Sequence, residues 1–99
     1  MALETTRFDV QTHLQTNEDC RLFLEAAFAE AGDDVSYIAQ AIGEVARARG
    51  MMQLARDTGL SRESLYRALS ADGNPSFATV LKVLHALGLG LTPTTPIAA

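Results

Sequence analysis

Three arginines, Arg56, Arg62 and Arg67, lie around the glycine-centred turn of one short stretch, QLARDTGLSRESLYRAL, in a chain whose Asp and Glu outnumber Lys and Arg by twelve to eight. A guanidinium donates in a planar fork that matches phosphate oxygens or the O6 and N7 edge of guanine. Such a local cluster points to a nucleic acid, because a duplex attracts a protein through local phosphate neutralisation whatever the net charge of the whole chain. Arg62 and Arg67 can each place two hydrogen bonds on a guanine, and Ser64 can reach a base edge or a phosphate. Glu63 and Tyr66 share the outward face with Arg67. Gln53, in the preceding helix, and Arg47 or Arg49, further upstream, suit phosphate. The competing plain reading is that Glu63, four residues ahead of Arg67, forms a surface helix pair worth about 0.3 to 0.5 kcal/mol.

Other reactive side chains carry little. Cys20 falls on an apolar stripe, which predicts a buried thiol, and His13 and His85 stand far apart in sequence with no carboxylate at ligand spacing. Ser61 and Ser64 lack a base and read as a helix cap and a contact residue. No catalytic residue, no cofactor and no metal is expected, and the chain is not read as an enzyme.

A helix-turn-helix needs a small residue where its helices nearly touch and a residue tolerant of positive φ at the bend; Ala55 and Gly59 supply both. The first helix of the pair is expected over Met51 to Thr58. The second, capped by Ser61 and running to about Ala71, turns Leu65, Ala68 and Leu69 inward against Leu54 and Leu60. Upstream, TNED offers Thr16 and Asp19 as an imperfect capping box. Cys20, Phe23, Leu24, Ala27, Phe28 and Ala31 then follow at helical spacing until Gly32. Asp33 or Asp34 caps the next helix, whose apolar set is Val35, Ile38, Ala39, Ile42, Val45 and Ala46, ending at Gly50 with Arg47 and Arg49 in its last turn. A last helix starts at Asn74 and Pro75 or at Ser76, and is expected to bury Phe77, Val80, Leu81, Leu84 and Leu87 before Gly88. Phe8 to Leu14 alternates weakly with period two, as an extended arm or short strand.

The expectation is an all-α fold: an extended arm over residues 1–15, a five-helix helix-turn-helix domain over 16–91, and a Thr/Pro-rich tail over 92–99. At 99 residues this is one domain. Its charge is two-sided: residues 1–34 hold eight acidic and two basic side chains, and residues 45–82 hold six basic and three acidic. The start, MALETTRFDV, lacks a basic region followed by an apolar run, no stretch approaches the ~18 apolar residues of a membrane span, and there is one cysteine. A cytoplasmic protein without a membrane partner is expected.

The stretch ARARGMMQLARDTGLSRESLYRALSADGNPSFATVLKVLHALGL resembles the HigA-like antitoxins, a family of probable addiction module antidote proteins; FDVQTHLQTNEDCRLFLEAAF and DDVSYIAQAIGEVARARGM resemble the upstream part of the same family. The likeness runs from about Arg7 to Leu91. It implies a lambda-repressor-like helix-turn-helix domain that binds a small basic toxin of the RelE/ParE superfamily and represses the operon encoding both proteins. Family members often carry a small hydroxyl residue where this chain has Met52, so Gly50 is left as a weaker cap for the third helix.

On that resemblance the acidic first third gains a use, steering and holding a basic toxin, with Phe8, Val10, Leu14, Phe23 and Phe28 as anchors unless the core claims them. One recognition helix reads only a few base pairs, so a homodimer on an inverted-repeat operator is expected, paired through Leu89, Leu91 and Ile97 or bridged by the toxin. Two further readings stand beside the antitoxin: a stand-alone helix-turn-helix repressor, and a module that uses its helices only for protein.

Overall fold

The structure is a computed structural model that describes residues 13–95, and its described residues form five helices and no strand. In chain order these are α1 (Asn17–Ala31), α2 (Val35–Arg49), α3 (Met51–Thr58), α4 (Arg62–Ala68) and α5 (Phe77–Ala86). Among the described residues the expected all-α, five-helix fold is therefore the one observed. Residues 1–12 of the expected arm, with Phe8 and Val10, and Ile97 of the tail lie outside the described residues.

The start of α1 shows how closely local chemistry sets the ends. Thr16 Oγ1 accepts from the Asp19 backbone N–H at 3.0 Å, and the Asp19 carboxylate accepts from the backbone N–H groups of Thr16 and Gln15, both at 3.1 Å. The capping box is thus complete and reciprocal, with Asp in the place usually held by Glu. Those backbone donors, Thr16 first and Gln15 second, hold the Asp19 carboxyl below its ordinary pKa. A depressed pKa in the folded chain means that this stabilisation is present above the ordinary carboxylate range and is lost as pH falls through the folded value. Thr16→Ala is expected to lower unfolding stability by about 1 kcal/mol. Chemical denaturation should show that difference kept in acid, because the Asp19 N–H that loses its partner does not titrate, whereas the difference made by Asp19→Asn should shrink as the carboxylate is protonated.

Asp34, not Asp33, caps α2 by accepting from the Tyr37 backbone N–H at 3.1 Å. α2 is the central helix: Ala39, Ala41, Ile42, Gly43, Val45 and Ala46 are all buried, so more than one of its faces is covered. α1 lies along it, and α3 to α5 complete the core around Ile42, Val45, Leu54, Leu65, Leu69, Val83 and Leu84. Leu14 is buried in that core, and Phe23 and Phe28 pack half-buried against it, which gives these three expected anchors a first duty inside the fold.

Four expectations need correction. α4 ends at Ala68 rather than near Ala71, because the Ser70 hydroxyl donates to the Arg67 carbonyl and the Gly73 N–H donates to the Ser70 carbonyl, folding the chain back under the helix end. A Cβ on Gly73 would stand 2.2 Å from the Ala68 carbonyl oxygen, so this turn admits only glycine without movement. Phe77 is not buried but 69% exposed, and Val83, absent from the expected set, is fully buried. Ser76 caps α5 through the Thr79 N–H, so Phe77 is the first helical residue; side chains lean toward the helix start, and this one overhangs the packed part. Val35 is exposed at the first position of α2 for the same reason.

Candidate nucleic-acid interface

α3 and α4 are joined by three residues. Gly59 closes α3 in the left-handed region, φ 77°, with its N–H on the Ala55 carbonyl; Ser61 then opens α4, its Oγ accepting from the Ser64 N–H at 3.0 Å. Positive φ is cheap for glycine and costly for a residue with a Cβ, so this bend depends on Gly59. Gly50, φ 112°, separates α2 from α3 and supplies no side-chain cap, as the presence of Met52 implied.

Leu65 is fully buried and Leu69 nearly so, and this pins the inner side of α4. Arg62, Glu63, Ser64, Tyr66 and Arg67 are all exposed on its other sides. Among the described residues no ion pair joins Glu63 to Arg67, and neither Arg62 nor Arg67 has a carboxylate within bonding distance. Their guanidinium groups are free to meet an external acceptor. Ser61 and Ser64 also share a hydroxyl contact at 2.9 Å, which places Ser61 as a cap with Ser64 on the open side. Beside Arg67 and Ser64 a hollow of about 460 Å³ extends to Asp72, Asn74, Ser76 and Thr79, so polar groups flank the start of α5 as well.

The expected phosphate contacts are placed less simply. Gln53 is engaged on its own helix, donating to Asp57 at 2.8 Å and accepting from Arg56 at 3.0 Å. Arg49 donates to the Gln15 carbonyl at 2.6 Å and to Asn17 Oδ1 at 3.2 Å, which ties the end of α2 to the start of α1. Arg47 lies with its guanidinium carbon 5.7 Å from the centre of the Tyr66 ring, a cation–π distance. Tyr66 thus serves as a platform for Arg47, and the pair brings α2 to the exposed face of α4.

Sequence reasoning missed the stripe of α2 that steadies α4. The Ser36 hydroxyl donates to the Ala71 carbonyl at 2.6 Å, and a Cβ on Gly43 would stand 2.5 Å from the Leu69 carbonyl oxygen; with Arg47 over Tyr66, three positions at helical spacing run along α4 and its exit turn. A glycine inside a helical apolar pattern was the available signal, since it marks a close approach. Cys20 is buried, which pushes its thiol above the ordinary pKa with the nearby Arg49 charge opposing; a protonated, covered thiol is a packing residue. No described helix is long and apolar enough to cross a membrane.

Residues 4–95 match the family described as "Probable addiction module antidote protein". A relative from Haemophilus influenzae, described only as an uncharacterized protein, is 52% identical over 82 residues, covering 83% of this chain and 82% of its own. No solved structure matches. A match over nearly the whole chain, on a five-helix fold with an open basic helix face, shows that the protein belongs to the family of probable addiction module antidote proteins.

Proposed function

We propose that this protein is the HigA-like antitoxin of a type II toxin-antitoxin module, a cytoplasmic, non-enzymatic regulator that binds a small basic toxin of the RelE/ParE superfamily and represses its own operon. The DNA-binding element in this reading is a lambda-repressor-like helix-turn-helix, α3 and α4, with α4 in the major groove. The observation that carries it is the open face of α4: Arg62 and Arg67 are exposed and lack carboxylate partners, on a helix held from behind by Leu65 and Leu69. Arg62, Arg67 and Ser64 are assigned to base edges, and Arg47, set by Tyr66, to phosphate. Gln53 joins them only by exchanging Asp57 or Arg56 for a phosphate oxygen.

The test has two arms. Titration of DNA from upstream of the gene at several salt concentrations should give an affinity whose logarithm falls linearly with the logarithm of salt, by about 0.9 per phosphate contacted. Co-expression should relieve growth arrest caused by the protein encoded in the adjoining reading frame. Salt-independent or absent DNA binding defeats the repressor half, and unrelieved arrest defeats the antitoxin half.

A further inference from the structure

The outer side of the α1–α2 pair carries a groove of about 390 Å³ that no part of the DNA-binding reading uses. Its lining is mostly apolar, with Phe23, Ala26, Ala27 and Ala41, and includes Glu30 and Glu44. Tyr37 lines it too and donates its hydroxyl to the Glu30 carboxylate, which raises the Tyr37 pKa. Leu22, one turn before Ala26 on α1, is 49% exposed and extends the apolar strip along that helix.

The segment that carries this strip has charge of one dominant sign. From Asn17 to Asp34 the chain holds six acidic side chains, Glu18, Asp19, Glu25, Glu30, Asp33 and Asp34, against Arg21 alone. Arg21 is itself held by Glu18 at 2.7 Å and Glu25 at 3.6 Å, so it adds no free positive charge. An apolar strip inside an acidic surface fits an apolar segment bordered by lysine or arginine, and it repels polyanions.

We infer that the α1–α2 groove is the toxin-docking site, its occupant an apolar segment of the toxin flanked by basic side chains. This rests on the antitoxin reading above and adds the surface and its chemistry. The groove uses the Tyr37, Ala41 and Glu44 side of α2, whereas Ser36, Gly43 and Arg47 on the neighbouring stripe meet α4 and its exit turn. Toxin and DNA therefore occupy different surfaces that share one helix.

Ala26 is exposed on a helix that tolerates a long side chain, so two variants of similar bulk and opposite charge, Ala26→Arg and Ala26→Glu, separate charge from crowding. The probe is the purified protein encoded by the adjoining reading frame, and its association with the full-length chain is measured at low salt. The expected result is that Ala26→Arg binds at least tenfold more weakly than Ala26→Glu, while both keep the helical circular dichroism and DNA affinity of the parent. Equal binding by the two variants overturns the groove assignment and leaves the antitoxin reading intact. Failure of the parent chain to bind the probe or to relieve its growth arrest overturns both. A changed oligomeric state of free Ala26→Arg would give the groove to a second copy of the chain. Shifts of the Ala26 and Gln40 amide resonances on deleting residues 1–12, with no probe present, would give it to the chain's own start. Either result overturns the proposal.

Discussion

Replacing Arg62 and Arg67 together by alanine is expected to weaken operator binding by about 2 to 6 kcal/mol, since each base-reading arginine contributes roughly 1 to 3 kcal/mol. Among the described residues neither guanidinium has a carboxylate to leave, so the loss appears in binding and hardly in folding. The two positions are five residues apart on α4, at its first turn and its last, and they share no partner. Their effects should therefore add. Gel-shift titration on the operator and on unrelated DNA separates the possible roles: base readers lose preference for the operator, while phosphate contacts weaken both complexes alike and reduce the salt slope. A double variant that footprints the operator like the parent would remove α4 from the groove.

How much of this was visible before the fold was known depends on the kind of residue. The α3–α4 pair was legible because Gly59, Ser61 and Leu65 act locally: one permits the bend, one caps, and one sets the buried side. The helix start at Thr16 was legible for the same reason, and those at Asp34 and Ser76 to within a choice of neighbouring caps, each side chain taking a backbone N–H three residues on. Exposure at first helical positions was not, since periodicity treats Phe77 and Val35 like any apolar residue and carries no information on where the packed part of a helix begins. The site divides the same way. Exposure of Arg62, Ser64, Tyr66 and Arg67 follows from helix phase, whereas the partners of Arg47, Arg49 and Gln53 are decided by which side chain comes within reach. Arg49 meets a carbonyl 34 positions away in sequence, a contact that spacing along one helix cannot reveal.

Moving the two half-sites of the operator apart by half a helical turn is expected to lower affinity on the order of 10³-fold, toward the non-specific level. One copy of α4 is seven residues long and presents a few side chains to a few base pairs, so a single domain stays near a dissociation constant of ~10⁻⁴ to 10⁻⁶ M. Two copies related by a two-fold axis place their recognition helices in successive major grooves about 34 to 36 Å apart. The domain measures 39 × 33 × 26 Å, the same order as that spacing. Of the residues expected to pair copies, Leu89 packs against the core of its own chain and Leu91 is 40% exposed; among the described residues Phe77, at the start of α5, is another exposed apolar side chain. Phe77→Ser and Leu91→Ser should then shift light scattering of the free protein toward the monomer and reduce cooperativity on the full operator, with affinity for one half-site unchanged. Bridging by toxin gives a different pattern: the free chain is monomeric with or without these changes, and spacing matters only when toxin is present. A monomer that protects one half-site as strongly as the whole repeat would sink the two-fold arrangement altogether.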